Sequence, residues 1–217
     1  MSHTHNDTRT AAIDAILARA PVLPVLAIER LDDAVPLARA LVDGGLPVLE
    51  VTLRTDAALA AIARIAAGVD GAIVGAGTVL TPADLDAVAD AGAAFAISPG
   101  ATDALYTAAA RHRLPWLPAI ATASELMRGL DHGHRRFKFF PAEAAGGAAA
   151  LKAFAGPFPQ ARFCPTGGID QASAPRYHAL SNVITVGGSW MVPKDAIEAR
   201  DWPRITALAR ECGAGQP

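Results

Sequence analysis

Residues 48–78 read VLEVTLRTDAALAAIARIAAGVDGAIVGAGT, and this stretch contains the unit from which the fold is predicted. Two short apolar runs, Val48–Thr52 and Ala72–Thr78, enclose the amphipathic, alanine-rich segment Asp56–Ala67. A strand, a helix and another strand in succession favour parallel pairing, because parallel strands need a long crossover connection. The stretch therefore predicts one βαβ unit.

The same unit recurs along the chain. The predicted strands are Val22–Ala27, Val48–Thr52, Ala72–Thr78, Phe95–Ser98, Trp116–Ala119, Phe137–Phe140, Arg162–Pro165 and Val183–Gly187. The predicted helices between them are Asp32–Val42, Asp56–Ala67, Pro82–Ala91, Thr102–Arg111, Ala123–Leu130, Ala148–Ala155 and Ala172–His178. Eight such repeats favour a closed (β/α)8 TIM barrel over an open doubly wound sheet.

The ends of the chain complete this prediction. The polar segment 1–9 is expected to be a disordered lead-in, and residues 10–217 a single barrel domain. An extra helix, Ala11–Ala20, is expected to cover the lower mouth of the barrel. Helix N-caps are predicted at Asp56, at Thr81 before a proline, and at Thr102. Gly-Gly after Asp43 and Gly92 after Ala91 predict helix ends.

Composition limits the classes of function. The chain has 217 residues, a mass of 22.3 kDa, a formal net charge of −2 and a pI near 6.3, which argues against nucleic-acid and anionic-membrane partners. No apolar stretch approaches the ~20 residues of a membrane span, and the N-terminus has no signal-peptide pattern. Two cysteines, Cys164 and Cys212, form no disulfide framework. We expect a protein of the cytoplasm.

Lys138 is the first candidate for chemistry. The chain has three lysines, and this one lies in the phenylalanine-rich segment 135–141, RRFKFFP, whereas Lys152 and Lys194 have surroundings typical of solvated residues. Burial favours the neutral, nucleophilic amine that Schiff-base chemistry needs. Strand alternation places Lys138 on one face and its phenylalanine neighbours, Phe137 and Phe139, on the other. A lysine that extends to solvent from a strand end is the alternative.

Polar side chains gather where the predicted strands end, which is where barrels of this type have their active sites. Glu50 is expected to face inward as a proton shuttle, or as a structural salt-bridge partner of Lys138. Arg54 has the planar fork that binds a carboxylate, or it is a solvated loop residue. Thr78 is a donor to a substrate oxygen, or a helix cap. Pro99 follows the fourth strand.

Two glycine pairs follow the last two strands. Thr166, Gly167 and Gly168 come after the seventh strand, and Gly187, Gly188 and Ser189 after the eighth. Adjacent positions of this kind often bind phosphate through backbone amides. Either pair alone could be an ordinary turn.

Other residues are assigned structural roles. His132 and His134 resemble a metal pair but lie in a charged turn without carboxylate partners, so they are expected to be solvated. Cys164 is expected to be a small core residue. Glu143 is expected to be a loop carboxylate that could tune the local charge.

These motifs together resemble a known family. The segments LEVTLRT (49–55), VGAGTVL (74–80), FAISPG (95–100), FKFFPAE (137–143), RFCPTGGI (162–169) and GGSW (187–190) closely resemble bacterial 2-dehydro-3-deoxy-6-phosphogluconate (KDPG) and 4-hydroxy-2-oxoglutarate (KHG) aldolases. The resemblance runs from about Ile13 to Arg210. It implies a class I aldolase without metal or cofactor on a (β/α)8 barrel, usually a homotrimer.

The resemblance also implies roles for individual residues. Lys138 corresponds to the Schiff-base lysine and Glu50 to the proton shuttle. The implied substrate-binding residues are Arg54, Thr78, Pro99, Phe140, Thr166, Gly167, Gly168, Gly187, Gly188 and Ser189. The chain departs from the family at Ala119 and Ala121, where relatives commonly carry glycine and serine, so substrate preference is open. Alternatives are a pyruvate aldolase for another 2-keto-3-deoxy sugar acid, an inactive phosphosugar-binding barrel and a metal-dependent aldolase.

Overall fold

The computed structural model of the chain describes residues 3–213, and parallel strands form its centre. The strands are β1 (Val22–Leu26), β2 (Val48–Thr52), β3 (Ile73–Gly77), β4 (Ala96–Ile97), β5 (Trp116–Leu117), β6 (Ala119–Ile120), β7 (Arg136–Phe139), β8 (Arg162–Pro165) and β9 (Val186–Gly188). Two of the predicted strands, those at 48–52 and 162–165, have the predicted bounds.

The strands close into a ring. One sheet has the order β5-β4-β3-β2-β1-β9 and the other the order β6-β7-β8. β5 and β6 are two halves of one strand, interrupted at Pro118, which has no N–H to donate. Isolated bridges from Phe163 to Val183 and from Thr166 to Gly187 join β8 to the last strand. The ring has eight strand positions, and the predicted (β/α)8 barrel is confirmed.

All helices except the first follow strands and pack outside the ring. They are α1 (His3–Leu17), α2 (Ala34–Asp43), α3 (Ala58–Gly68), α4 (Pro82–Asp90), α5 (Asp103–Arg111), α6 (Ala123–Asp131), α7 (Gly147–Ala155), α8 (Ala174–His178), α9 (Lys194–Glu198) and α10 (Trp202–Gly213). A 3-10 turn, Leu31–Asp33, precedes α2. The sequence analysis did not predict α9 and α10. None of the helices within residues 3–213 is long and apolar enough to cross a membrane.

The N-terminal helix begins earlier than expected. α1 starts at His3, within the segment 1–9 that was expected to be a disordered lead-in, and the first two residues of that segment lie outside the described range. Arg9 donates hydrogen bonds to the carbonyl groups of Ala110 and His112, and Arg136 forms an ion pair with Asp14. These contacts attach α1 to the rest of the barrel.

Two apolar layers lie on the two faces of the ring. The outer layer, between strands and helices, contains Leu49, Val51, Phe137 and Phe139 among many others. A smaller inner cluster fills the lower part of the barrel; its buried members are Ile13, Leu17, Leu23, Val48, Phe95, Ile97, Leu117 and Cys164. Because two of these residues belong to α1, this helix covers the lower mouth, as expected.

Two of the three predicted helix caps, Thr81 and Thr102, are confirmed. Thr81 accepts a hydrogen bond from the N–H of Asp84 in a capping box, and Thr102 caps α5. The predicted cap at Asp56 is wrong, because α3 begins at Ala58 without a side-chain cap. The preceding turn is held instead by Thr55, whose hydroxyl donates to the carbonyl of Ile28 at 2.7 Å. The helix therefore starts two residues later.

Candidate active site

A lysine and a glutamate meet inside the upper half of the barrel. The Nζ atom of Lys138 on β7 lies 2.8 Å from Oε1 and 3.2 Å from Oε2 of Glu50 on β2. Their side chains are 6% and 1% exposed. The neighbours of both residues in sequence face the outer layer, so the inward orientation predicted from strand alternation is confirmed.

The surroundings of this pair are tightly packed. Lys138 is in register with Ala119 on one side and Cys164 on the other, and its Nζ lies 5.5 Å from the centre of the Phe140 ring. Burial raises the pKa of the Cys164 thiol to about 12, so this cysteine is a neutral core residue, as expected. A Cβ atom at Gly77 would lie 2.2 Å from Oε1 of Glu50, so the carboxylate occupies space that only a glycine leaves open.

Stability alone gives little reason for such a pair. Two charges that leave water lose several kcal/mol of hydration each, and apolar replacements of a buried pair are often neutral or stabilising by about 1–4 kcal/mol. Lys138 and Glu50 nevertheless lie above the apolar inner cluster, at the end of the barrel where βα loops begin. This position favours a chemical role over the structural salt bridge.

Arg54 lies in the turn after β2 and is held by a residue that the sequence analysis missed. Its Nε–H donates to the hydroxyl of Thr52 at 3.0 Å, and that hydroxyl donates to the carbonyl of Leu26 at 2.8 Å. Thr52 is 3% exposed and lies two residues after Glu50, on the same inner face of β2. The two Nη groups of Arg54 find no acceptor within residues 3–213, so the fork that binds carboxylates is unoccupied by the protein. The period of the strand was the signal that could have identified Thr52.

Thr78, directly after β3, has a strained backbone. Its φ of 61° lies in the left-handed region, which a β-branched residue rarely adopts. Such strain costs on the order of 1–3 kcal/mol and is concentrated at functional sites. The alternative role as a helix cap is wrong, because Thr81 caps α4. Thr78 is therefore available to a ligand.

The first glycine pair forms a turn whose amides point in one direction. Two N–H groups of the loop after β7 bind the carbonyl groups of this turn. The N–H of Ala142 donates to the Thr166 carbonyl at 2.8 Å, and the N–H of Glu143 donates to the Gly167 carbonyl at 3.0 Å. In a trans peptide the N–H points away from the carbonyl, so the amides of Gly167 and Gly168 are directed away from that loop. The positive φ angles of these glycines, 106° and 77°, favour glycine at both positions. Successive free amides of this kind bind anions.

The second glycine pair lies beside the first. Gly187 forms a bridge with Thr166, and a Cβ atom at Gly187 would lie 2.2 Å from the Thr166 hydroxyl. This hydroxyl is buried and has no hydrogen-bond partner among the described residues apart from a weak interaction with the thiol of Cys164. Ser189 is exposed and lines, together with Arg54, a cleft of about 410 Å³ at the upper end of β1.

The remaining candidates lie as follows. Pro99 is half-buried at the end of β4, while the neighbouring Ser98 faces outward and accepts a hydrogen bond from the Trp116 indole at 2.8 Å. His132 stacks on Tyr106 at 4.3 Å. Burial lowers the pKa of His134 to about 4, so this half-buried histidine is neutral at pH 7 rather than the solvated residue expected. Among the side chains that the structure describes, those of residues 9–213, no group of three or more His, Cys, Asp or Glu could hold a metal ion.

A buried lysine that contacts a carboxylate at the upper end of a (β/α)8 barrel, with an arginine fork nearby, defines the class: the chain is a class I pyruvate aldolase, a carbon–carbon lyase. Comparisons with known proteins agree. The chain matches the KDPG and KHG aldolase family over residues 13–208, and it belongs to that family. It is 57% identical to the KHG/KDPG aldolase of Escherichia coli (strain K12) over 202 residues, which are 93% of this chain and 95% of the relative.

Two solved structures extend the comparison. The KDPG aldolase of Legionella pneumophila, captured with pyruvate as a covalent carbinolamine intermediate, superposes with a TM-score of 0.90 at 49% identity, covering 92% of this chain and 97% of that one. The aldolase of Zymomonas mobilis ZM4 with 3-phosphoglycerate has a TM-score of 0.91 at 51% identity, covering 95% and 97%. The family predicted from the motifs is thereby confirmed.

Proposed function

We propose that this enzyme cleaves 2-dehydro-3-deoxy-6-phosphogluconate to pyruvate and glyceraldehyde 3-phosphate through a Schiff base on Lys138. The observation that carries the proposal is the buried contact of 2.8 Å between Nζ of Lys138 and the Glu50 carboxylate. It supplies an amine beside a group that can accept and return its protons. The reaction belongs to the Entner–Doudoroff pathway of sugar-acid breakdown.

The first half of the mechanism forms the imine. Lys138 transfers a proton to Glu50, and the neutral amine attacks the C2 ketone of the substrate to form a carbinolamine. Glu50 returns the proton to the C2 hydroxyl, which leaves as water, and a protonated imine remains. The Phe140 ring, 5.5 Å from Nζ, limits access of bulk water to this bond.

The second half breaks the carbon–carbon bond. Glu50 takes the proton of the C4 hydroxyl, the C3–C4 electron pair moves into the protonated imine, and glyceraldehyde 3-phosphate leaves with a new C4 carbonyl. The resulting enamine is protonated at C3. Water then adds to the imine carbon and releases pyruvate, which restores the lysine.

The other residues hold the two ends of the substrate. Arg54, positioned by Thr52, binds the carboxylate, and Thr78 donates to an oxygen at the same end. Pro99 and Thr166 line the middle of the substrate. The amides of Gly167 and Gly168, with those of the Gly187, Gly188 and Ser189 segment, bind the phosphate. This set fixes the scissile bond relative to Lys138.

We also propose a slower cleavage of 4-hydroxy-2-oxoglutarate to pyruvate and glyoxylate, because the lysine, Glu50 and Arg54 need only the pyruvate half of the substrate. The free amides after β8 favour the phosphorylated substrate over this one. Ala119, in register with Lys138, adds a methyl group beside the nucleophile and bears on which aldehyde is accepted. The inactive barrel is disfavoured, because a binding protein gains nothing from the buried pair.

Assembly and location complete the proposal. We retain the homotrimer implied by the family and a cytoplasmic location, with no nucleic-acid or membrane partner. Leu80 and Met127, 56% and 57% exposed, are candidates for residues that another copy covers. Light scattering after size-exclusion chromatography measures the assembly, and a mass of one or two chains contradicts the trimer.

The activity is tested by following pyruvate release from both substrates with a coupled lactate dehydrogenase assay. We expect turnover of both, with a higher kcat/KM for the phosphorylated one. Lys138→Arg keeps the charge but cannot form the imine, so turnover is lost, whereas Lys152→Arg is the matched control and retains it. Full activity of the Lys138→Arg enzyme contradicts the mechanism.

A further inference from the structure

Glu143, in the loop between β7 and α7, makes an unusually connected set of contacts for a loop carboxylate. Nη2 of Arg176 lies 2.5 Å from each of its oxygens, and the hydroxyl of Tyr177 donates to Oε1. Both partners belong to α8. The carboxylate thus ties the loop that follows Lys138 to the helix that follows the Gly167–Gly168 turn.

The rest of Glu143 contacts the turn itself. Its N–H donates to the carbonyl of Gly167 at 3.0 Å, and a Cβ atom built at Gly168 would lie 2.8 Å from both Cβ and Cγ of Glu143. One residue therefore packs against Gly168, binds the carbonyl of Gly167 and holds the helix after the turn. Rotation of the Gly167–Gly168 peptide would break the hydrogen bond from Glu143, while the Thr166–Gly167 peptide is held by the N–H of the adjacent Ala142.

The charges of this cluster suit a neighbouring anion. A lone carboxylate would repel a phosphate at 4 Å by ~1 kcal/mol in water and ~4 kcal/mol near a protein surface. Arg176 supplies the compensating charge and holds the pKa of Glu143 below its usual range. Burial and the Glu143 contact raise the pKa of Tyr177 to about 12, so its hydroxyl stays a donor. The cluster adds no net negative charge beside the turn.

We infer that Glu143 is a positioning residue that holds the Gly167 and Gly168 amides toward the substrate and so sets the preference for a phosphorylated aldehyde portion. The inference rests on the proposed function, since it requires that this turn binds the phosphate. Glu143 touches no reacting atom, so its replacement alters binding of the phosphate end and leaves imine formation intact.

The test compares one enzyme on two substrates. Glu143→Gln keeps the size but loses the charge that holds Arg176, and we expect kcat/KM for 2-dehydro-3-deoxy-6-phosphogluconate to fall about tenfold, mainly through KM. For 4-hydroxy-2-oxoglutarate, which has no phosphate, kcat/KM stays within about twofold. Asp103→Asn, which breaks an exposed ion pair with Arg128, is the matched control and changes neither value. Glu143→Ala, if it folds, should lower kcat/KM for the phosphorylated substrate further than Glu143→Gln does. If the alanine variant does not fold, the result of the glutamine variant alone tests the inference.

The outcomes separate the inference from the function on which it rests. An equal loss on both substrates, or no loss on either, overturns the positioning role of Glu143. A wild-type enzyme that shows no preference for the phosphorylated substrate and no competitive inhibition by inorganic phosphate removes the proposed phosphate site instead. If the wild-type enzyme prefers the phosphorylated substrate and the Glu143→Gln variant keeps that preference, the proposed function stands and only the role of Glu143 is contradicted.

Discussion

Replacement of Lys138 and Glu50 by methionine, singly and together, tests whether the pair exists for chemistry or for stability. Methionine is unbranched and apolar, so it fills the space of either side chain without charge. At the 2.8 Å separation of Nζ and Oε1, the attraction is ~6 kcal/mol with an effective dielectric constant of 20. The loss of hydration, several kcal/mol for each ion, offsets that attraction.

Each single variant leaves one charge buried without its partner. We therefore expect Lys138→Met and Glu50→Met each to lower the free energy of unfolding by about 3–5 kcal/mol at pH 7. The double variant buries no charge, and its free energy of unfolding equals or exceeds that of the wild type. All three variants lose turnover.

Guanidinium chloride unfolding at one protein concentration measures these free energies by linear extrapolation. The double-mutant cycle then gives the coupling between the two residues directly. A double variant that is as unstable as the single variants, or less stable, refutes the reasoning, because the pair would then be needed for the stability of the barrel.

Two further predictions concern binding and pH. Thr52→Val removes the acceptor of the Arg54 Nε–H, so the KM for 2-dehydro-3-deoxy-6-phosphogluconate should rise about tenfold with a smaller change in kcat. Thr52→Ser keeps the hydroxyl and should have the wild-type KM. A valine variant with unchanged KM contradicts the role of Thr52. Burial lowers the pKa of His134 in the folded protein to about 4, below the usual 6.5. Between these two pH values the unfolded chain binds a proton at His134 and the folded chain does not. The free energy of unfolding therefore falls as the pH drops from 6.5 to 4, by on the order of 3 kcal/mol. His134→Phe keeps a ring in contact with Tyr106 and Trp116 but cannot bind a proton. Unfolding curves across this pH range should show a smaller loss of stability for this variant than for the wild type. An equal loss of stability in both proteins excludes His134 as the cause.

The sequence predicted the barrel because its signal repeats. Alternating apolar runs and alanine-rich segments specify eight strands and the seven helices between them, so an error at one boundary leaves the topology unchanged. The prediction failed where one local signal competed with contacts distant in sequence. Asp56 looks like a helix cap, but the hydroxyl of the neighbouring Thr55 binds the carbonyl of Ile28, and α3 begins only at Ala58. Short α9 and the amphipathic α10 follow the eighth strand, and neither was predicted, although a (β/α)8 barrel calls for a helix at this place.

The candidate site was predictable to a similar extent. The inward orientation of Lys138 and Glu50 follows from a period of two, and their separation along the chain does not matter once both face the lumen. The role of Thr52 depends on a hydrogen bond from the next turn to its hydroxyl, and the contacts of Glu143 with Arg176 and Tyr177 join residues more than 30 positions apart. Contacts of this kind arise from tertiary packing and leave no periodic signal.

Trapping with borohydride tests the central claim most directly. The enzyme is incubated with pyruvate, reduced, digested and mapped by peptide mass spectrometry, with Lys152 and Lys194 as internal controls, since the chain has no other lysines. Imine chemistry at the buried amine predicts a reduced pyruvate adduct on Lys138 alone. A folded protein that carries no adduct, or carries it on either of the other two lysines, contradicts the account.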